Sequence, residues 1–349
     1  MSNKLRIAIV GSTGYGGVEL MRLLQAHPNA EISSVISSSS AGTKITEGYP
    51  HLQHIREEVL DDVTPELIKQ KADLVFLATP ASVASKLAPE YLKLGLKVID
   101  LSGDFRIKEQ AVYEQWYKKP AASQEWLDQA VFGLCEVYGQ NVQGASFISN
   151  PGCYPTATLL GLAPALQAGL IDPNTIIIDA KSGVSGAGRG AATAYHYPEM
   201  NENFKAYKIN KHQHIPEIEM VLSDIAKAEV KVSFTTHLVP MTRGILSTIY
   251  ASLKEEVTEA QLIELYESYY EGRPFVRIRP EGTYPATKEV AGSNYCDIGF
   301  AVDSRTKRIT IVSVIDNLVK GAAGQAIQNM NLMMGWNEDT GLQFVPVYP

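Results

Sequence analysis

The sequence predicts two domains: an open α/β domain with a parallel sheet, and an α+β domain that is mostly antiparallel. The first observation is length, because 349 residues exceed what one hydrophobic core usually holds. The second is that apolar strands alternate with helices over residues 1–150, which is typical of parallel strands joined by right-handed crossovers. The third is the closely spaced strands after Cys153, which indicate antiparallel pairing.

The first domain opens with an apolar strand at Leu5–Val10, a glycine-rich turn and a helix over 18–25 that ends near Pro28. Another helix is expected at 83–94. The remaining strands of this domain are expected at 31–36, 73–78, 97–101 and 145–149.

The second domain is expected to hold few helices, at 217–228 and 259–270. Residues 303–307 carry a hairpin signal, and the helical pattern returns at 320–334. Its strands are expected at 175–179, 232–239, 245–252, 275–279, 296–302 and 308–315.

Composition excludes several classes of protein. The net charge is −7 and there is no basic block, so nucleic acid is not an expected partner. The three cysteines, at positions 135, 153 and 296, form neither a metal pattern nor an even disulfide set, which favours a reducing compartment. Residues 1–10 lack a signal-like apolar stretch, and no run reaches the ~18 apolar residues of a membrane span. We therefore expect a cytoplasmic protein that does not bind membranes.

A glycine-rich loop, Gly-Ser-Thr-Gly-Tyr-Gly-Gly at 11–17, joins the first strand to the first helix. Glycines at 11, 14 and 17 would let backbone amides approach a pyrophosphate at the helix N-terminus. This context predicts a Rossmann-type dinucleotide-binding domain, and the alternative is a tight turn without a ligand. The expected cofactor contacts are Gly11, Ser12, Thr13, Gly14, Tyr15, Gly16 and Gly17.

The second strand ends in four serines, 37–40, with Lys44 soon after. A carboxylate at this point would bind a ribose 2′-hydroxyl and repel a 2′-phosphate, whereas hydroxyls and a cation accept the phosphate. The pattern favours NADP(H), with Ser37 and Ser38 as contacts. The alternative is a polar surface loop.

Cys153 lies where an apolar strand is expected to turn into a helix, in Ser-Asn-Pro-Gly-Cys-Tyr-Pro-Thr-Ala at 149–157. Pro155 suits the first turn of that helix, since its missing N–H would have no partner there. The positive end of the helix dipole would favour the thiolate over the thiol. Cys153 is therefore the candidate nucleophile, and the alternative is a buried structural thiol.

Two histidines precede the helix expected at 217–228, in His-Gln-His-Ile-Pro-Glu at 212–217. A thiolate enzyme uses a nearby imidazole as base and then as acid. His212 and His214 point differently, so one of them is expected to face the thiol, and the residues alone leave the choice open. No metal is expected, because further ligands at zinc-binding spacing are lacking.

Small residues between two cations at 181–189 predict an anion cradle, although composition alone also fits a flexible loop. Arginine grips carboxylate or phosphate bidentately, and two further arginines follow expected strands. The candidate substrate contacts are Arg106, Ser182, Gly183, Arg189 and Arg243.

Taken together, these motifs resemble the N-acetyl-gamma-glutamyl-phosphate reductases, within the aspartate-semialdehyde dehydrogenase-like group. The resemblance covers essentially the whole chain. It is carried by the segments 11–17, 100–106, 149–156, 181–189, 212–217, 237–244 and 316–325.

The resemblance implies an oxidoreductase of arginine biosynthesis that reduces N-acetyl-glutamyl 5-phosphate to the semialdehyde with NADPH and releases phosphate. It implies that Cys153 forms a thioester, that His212 is the acid/base and that His214 lies with the substrate residues. It also implies that Asn317 lies near the nicotinamide and that 318–349 completes the 1–150 domain, leaving 151–317 for catalysis and oligomerisation. Homodimers or homotetramers are expected.

Two alternatives stay open. One is the same chemistry on aspartyl phosphate or on a carrier-linked aminoadipyl phosphate, because the cysteine and cofactor motifs would look alike. The other is a non-catalytic dinucleotide-binding regulator, in which Cys153 would be no more reactive than the other thiols.

Overall fold

A computed structural model describes residues 4–349. Its strands, numbered in chain order, are β1 Leu5–Val10, β2 Ala30–Ile36, β3 Leu74–Leu77, β4 Lys97–Asp100, β5 Val131–Phe132, β6 Phe147–Ser149, β7 Ile177–Gly183, β8 Lys205–Tyr207, β9 Ser233–Val239, β10 Ile245–Ser252, β11 Val276–Ile278, β12 Cys296–Asp303 and β13 Arg308–Ile315.

The α-helices are α1 Tyr15–Leu24, α2 Ile45–Gly48, α3 Pro65–Lys71, α4 Ala84–Lys93, α5 Gln110–Tyr117, α6 Gln124–Gln129, α7 Cys135–Val142, α8 Cys153–Gln167, α9 Tyr197–Met200, α10 Ile215–Ala226, α11 Glu259–Tyr269 and α12 Gly324–Met333. A π-helical turn, Val319–Ala323, precedes α12. Among residues 4–349, no helix has the length and apolar character needed to cross a bilayer.

The chain divides into two compact units. The first holds the described residues up to Pro151 together with Ala322–Leu342, and the second holds Gly152–Gly321 with Gln343–Pro349. The last segment joins the second unit, where the Val347 amide donates to the Ala291 carbonyl at 2.8 Å. The expected domain boundaries at 150 and 318 stay predictions; of the segment 318–349, expected to complete the first domain, only Ala322–Leu342 belongs to the first unit.

The first unit is built on a parallel sheet of order β2-β1-β3-β4-β6-β5. The central strands β1 and β3 are almost wholly apolar, because helices cover both faces of such a sheet. The chain runs from β1 to β2 on one side and to β3 on the other, so the carboxyl ends of β1 and β3 form a topological switch point. In open α/β sheets this is where ligands bind.

The second unit contains a mixed sheet of order β11-β12-β13-β10-β7-β9-β8. Two of its pairs, β11–β12 and β7–β9, are parallel, and the other pairs are antiparallel. Helix α8 packs across β10 and β13, where a Cβ on Gly161 would lie 3.1 Å from Cδ1 of Ile249. The hydroxyl of Tyr266 on α11 donates to the Gly161 carbonyl at 2.6 Å. Almost every side chain of α8 is therefore buried.

The predicted fold class is confirmed: a Rossmann-type parallel sheet is followed by an α+β unit whose sheet is mixed with mostly antiparallel pairs. Strands β1, β10 and β13 have the predicted bounds. Eight strands and α-helices were not predicted: β5, β8, α2, α3, α5, α6, α7 and α9. Two of these, β5 and β8, are strands of only two and three residues, too short to show alternation.

Candidate active site

Cys153 is the first residue of α8, and the turn 150–152 connects it to β6. Its side chain is partly exposed, whereas Cys135 and Cys296 are buried. The N-cap of α8 is Gly152, whose carbonyl accepts hydrogen bonds from the amide and the hydroxyl of Thr156, both at 2.9 Å. The thiol thus lies at the positive end of a 15-residue helix dipole, the setting that favours a thiolate.

A buried carboxylate holds the residue before the nucleophile. The Gly152 amide donates to Oε1 of Glu217 at 2.7 Å. Glu217 is fully buried and lies in the first turn of α10. This contact fixes the start of α8 to the start of α10, and the sequence motif at 212–217 gave no sign of it beyond the presence of the glutamate.

The two histidines of that motif lie against each other just before α10. Their ring centroids are 4.7 Å apart, and Tyr154 makes edge contacts with both, at 5.3 Å to His212 and 6.0 Å to His214. Nδ1 of His212 accepts the His214 amide at 3.2 Å, so the neutral ring of His212 carries its proton on Nε2. Burial, aided by the positive charge of Lys208, lowers the pKa of His212 to about 3.

Two tyrosines that sequence reasoning missed complete this cluster. The hydroxyls of Tyr154 and Tyr207 are 3.1 Å apart, and Tyr207 belongs to β8. Burial raises the pKa of Tyr207 to about 12, and it raises that of Tyr154 further. A negative charge on Cys153 would raise the pKa of both tyrosines further. No sequence signal marked this pair of tyrosines.

Residues around Asn317 organise the loops beside the nucleophile. Asn317 is buried, accepts the Gly244 amide at 2.8 Å and donates to the Ser185 hydroxyl at 3.0 Å. These bonds join the end of β13 to the loops that follow β7 and precede β10. Gly321 lies against Cys153, since a Cβ there would be 2.8 Å from Cβ of the cysteine.

The predicted anion-binding residues of the second unit differ in environment. Arg189 is exposed on the loop after β7. The guanidinium of Arg243 lies 3.5 Å from the buried carboxylate of Asp316. Ser182 and Gly183 are buried at the end of β7, where the Ser182 hydroxyl donates to the Gly183 carbonyl at 3.0 Å.

Arg106, in the first unit, is buried and bonded to backbone. Its Nε donates to the Asn150 carbonyl and its Nη2 to the Leu101 carbonyl, both at 2.8 Å. The Asn150 amide in turn donates to the Asp100 carbonyl at 2.8 Å. These contacts hold the turn that leads to Cys153, and the contact of Arg106 with substrate stays a prediction.

The glycine-rich loop of the first unit follows β1 at the switch point. Gly11 has φ +84°, and a Cβ there would lie 2.3 Å from the Ala78 carbonyl oxygen after β3. A Cβ on Gly17 would lie 2.4 Å from the Gly11 carbonyl oxygen, whereas one on Gly16 would meet only Cβ of Ala78 at 3.9 Å. Gly14 caps α1 without a side-chain hydrogen bond, so the helix start presents backbone amides. This is a fitting cradle for a pyrophosphate.

Serine hydroxyls extend the loop at the end of β2. The hydroxyl of Ser37 lies 3.3 Å from that of Thr13 and 3.4 Å from that of Ser39, while Ser38 is exposed. Ser12 is turned inward and donates to the Ile36 carbonyl at 3.0 Å. The nearby Asp61 carboxylate is bonded to Ser34 and to Lys71.

Two family models and several named relatives match this chain. A family model described as "Semialdehyde dehydrogenase, NAD binding domain" matches residues 6–145, and one described as "Semialdehyde dehydrogenase, dimerisation domain" matches 153–317. A protein of Geobacillus sp. (strain WCH70) named N-acetyl-gamma-glutamyl-phosphate reductase is 55% identical over 345 residues, covering 99% of this chain and all of the relative. One of Bacillus subtilis (strain 168) with the same name is 53% identical over 345 residues, with the same coverage. The chain belongs to the N-acetyl-gamma-glutamyl-phosphate reductase family.

Solved structures share the fold at much lower identity. An aspartate semialdehyde dehydrogenase II of Vibrio cholerae has a TM-score of 0.73 at 18% identity, covering 96% of this chain and 99% of that one. An aspartate semialdehyde dehydrogenase of Candida albicans, described with NADP, has a TM-score of 0.68 at 17% identity, covering 97% and 100%. The resemblance to the reductase family, inferred from the motifs alone, is confirmed, and the chain is an enzyme of this reductase type.

Proposed function

We propose that this enzyme reduces N-acetyl-L-glutamyl 5-phosphate to N-acetyl-L-glutamate 5-semialdehyde and phosphate with NADPH, a step of arginine biosynthesis. The observation that carries the proposal is the 55% identity, over 99% of the chain, to a relative named for that substrate. The site supports it, because a cysteine at a helix N-terminus, followed by a tyrosine whose ring contacts two imidazoles, suits acyl transfer.

Cys153 is the proposed nucleophile. Its thiolate attacks the acyl carbonyl, a C–S bond forms, the C–O bond to phosphate breaks, and inorganic phosphate leaves with the electron pair. The resulting thioester is reduced to a thiohemiacetal, which collapses to aldehyde and regenerates the thiolate. Covalent capture splits one difficult displacement into easier steps.

The proton carrier for the thiol is better assigned to His214 than to His212. With Nδ1 bonded to the His214 amide, His212 has its proton on Nε2 and acts as a donor there. A pKa lowered to about 3 also makes His212 a weak base. We propose that His212 donates to the substrate oxygen and that His214 takes the thiol proton and later returns it, which reverses the roles expected from the resemblance.

Oxyanion stabilisation falls to the amides of the first turn of α8. The Gly152 amide is already bonded to Glu217, and Pro155 has no N–H. We therefore assign this role to the amides of Cys153 and Tyr154.

The first unit is proposed to hold NADP(H), and its residues fit that cofactor. The 11–17 loop suits the pyrophosphate, and Ser37, Ser38 and the exposed Lys44 suit a 2′-phosphate. Asn317 is proposed to lie at the nicotinamide end. When bound, NADPH supplies the hydride that reduces the thioester.

Substrate anions are proposed to bind to the second unit. Arg189 is exposed and Arg243 partly exposed, so both guanidiniums are accessible to phosphate or carboxylate. Ser182 and Gly183 lie at the end of β7, beside the loop that carries Arg189.

Self-association is proposed through the second unit, giving a homodimer or homotetramer. Residues Leu246, Thr248 and Tyr250 of β10 are partly exposed on the sheet face opposite α8, whereas the alternating residues are buried. A half-apolar sheet face of this kind is commonly covered by another copy. Sedimentation equilibrium tests it, and a monomer at micromolar concentration would contradict it.

An assay in the reverse direction tests the proposed reaction. N-acetyl-glutamate semialdehyde, aspartate semialdehyde and a carrier-linked aminoadipate semialdehyde are each offered with phosphate and NADP⁺ or NAD⁺. The proposal requires the first aldehyde and NADP⁺ to give the highest kcat/KM, with loss of activity in Cys153→Ser. Preference for another aldehyde would support the corresponding alternative, and no turnover with any would support a regulator.

A further inference from the structure

The Glu217 side chain is the most unusual group near the nucleophile. It is a fully buried carboxylate, and its Oε1 accepts the amide of the N-cap residue of α8, next to Cys153, at 2.7 Å. It also lies in the first turn of α10. The carboxylate therefore sits at the positive ends of two helix dipoles, which favour its ionised form.

We propose that Glu217 is a positioning residue that locks the Cys153 turn to the histidine segment and places a negative charge beside the sulfur. This inference rests on the proposed role of Cys153 as nucleophile. The α8 dipole favours the thiolate form of Cys153. A carboxylate at this point acts against the dipole, because a nearby like charge disfavours the thiolate. The thiol is thereby kept protonated and more basic until an imidazole takes its proton.

A substitution can distinguish the effect of the hydrogen bond that Glu217 accepts from the effect of its negative charge. In Glu217→Gln the amide oxygen still accepts the Gly152 N–H, but the charge is gone. Glu219, also on α10, is the matched control, since its carboxylate accepts the Val232 amide at 3.2 Å and pairs with Lys231 at 3.4 Å. Glu219→Gln thus removes an equal charge from the same helix without touching the Cys153 turn.

The other groups near the sulfur stay unchanged in both variants. They are Tyr154, which follows the cysteine, Tyr207, whose hydroxyl lies 3.1 Å from that of Tyr154, and His212 and His214, whose rings contact the Tyr154 ring. Two lysines are also unchanged: Lys208, whose charge acts on His212, and Lys320, which precedes the Gly321 that packs on Cys153. A difference between the two variants therefore reports on the carboxylate at position 217.

The test is the pH dependence of Cys153 alkylation by iodoacetamide, followed by peptide mass spectrometry. In Glu217→Gln the midpoint should fall by about one pH unit, equal to a tenfold gain in thiolate on the acid side. Glu219→Gln should match wild type. An unchanged Glu217→Gln midpoint, or an equal fall in both variants, would overturn the inference.

Two readouts keep the result interpretable. If wild-type Cys153 reacts with iodoacetamide no faster than Cys135 and Cys296, the proposed function is wrong. If Cys153 is labelled selectively but the midpoint of its alkylation is unchanged in Glu217→Gln, only the proposed role of Glu217 is wrong. Should Glu217→Gln not fold, Glu217→Asp withdraws the carboxylate from the Gly152 amide, and its midpoint should also fall. A midpoint equal to that of wild type would again overturn the inference.

Discussion

Gly321 packs directly on Cys153: a Cβ added to Gly321 would lie 2.8 Å from Cβ of the cysteine and 3.2 Å from its Cα. Because Cys153 begins a buried helix, it cannot move easily to make room for an added Cβ. We predict that Gly321→Ala displaces the nucleophile and lowers kcat roughly ten- to a hundredfold, as misplacements near 1 Å do. Steady-state kinetics measures this, with Gly190→Ala as control because a Cβ there meets nothing within 4 Å. Unchanged kcat in Gly321→Ala would contradict the tight packing.

The effect of replacing a glycine of the 11–17 loop by alanine should depend on its position. Gly11→Ala and Gly17→Ala drive a Cβ into backbone at 2.3 and 2.4 Å, so both should lower the melting temperature and weaken NADPH binding about tenfold or more. Gly16→Ala, whose Cβ would have its nearest contact at 3.9 Å, should keep the melting temperature of wild type. Thermal unfolding and fluorescence titration with NADPH provide the two measurements. Equal melting temperatures for all three variants would argue against the loop geometry.

The buried His212 should make stability depend on pH. Unfolded chains protonate histidine below about pH 6.5, whereas burial holds the pKa of His212 in the fold at about 3. The unfolded state therefore binds more protons between these values, and stability is lost as pH falls from 6.5 towards 3. His212→Asn keeps an acceptor for the His214 amide and removes this titration.

Urea unfolding at about pH 7.5 and about pH 4.5 tests this, with wild type and His212→Asn compared. Acidification should cost wild type about 2.7 kcal/mol more than the variant, because two pH units separate pH 4.5 from the unfolded pKa at about 1.36 kcal/mol per unit. Equal losses would show that His212 titrates normally in the folded protein.

Substitution of Arg106 should lower stability, whereas substitution of Arg189 should raise KM. Arg106→Ala removes two charge-assisted bonds to backbone carbonyls and should lower the free energy of unfolding by about 3 kcal/mol. Arg189→Ala, at an exposed position, should change stability by less than about 0.5 kcal/mol while raising KM for the acyl phosphate. Arg305→Ala is the control, since Arg305 is exposed and pairs with Asp303 of the β12–β13 hairpin. An Arg106→Ala protein of normal stability with raised KM would restore Arg106 as a substrate contact.

The fold was largely predictable because its elements carry their own periodicity. Strands β1 and β10 show apolar runs or alternation that specify their bounds, and the cysteine turn carries its own Pro and Gly signals. Strand β8 has three residues and no alternation, so its tyrosine at 207 could not be placed beside Tyr154. Short strands are fixed by the neighbour they pair with, here β9, and not by local pattern.

Within the site, sequence supplied residue types but not their partners. Arg106 was read as an anion contact because it follows a strand, yet its bonds go to the carbonyls of Asn150 and Leu101. Hydrogen bonding likewise decides the tautomer of His212. These contacts form only in the folded chain, and some join residues far apart in the sequence, such as Arg106 with Asn150, so spacing alone could not reveal them.

The most direct test of the central claim is trapping of the acyl group on Cys153. The enzyme is mixed with N-acetyl-glutamyl 5-phosphate without NADPH, quenched in acid, digested and analysed by mass spectrometry, with Cys153→Ser as the control. We expect an N-acetylglutamyl adduct on the peptide that contains Cys153, absent from the variant and lost when NADPH is added before the quench. An enzyme that turns over this substrate with NADPH, yet yields no adduct on Cys153, would contradict it.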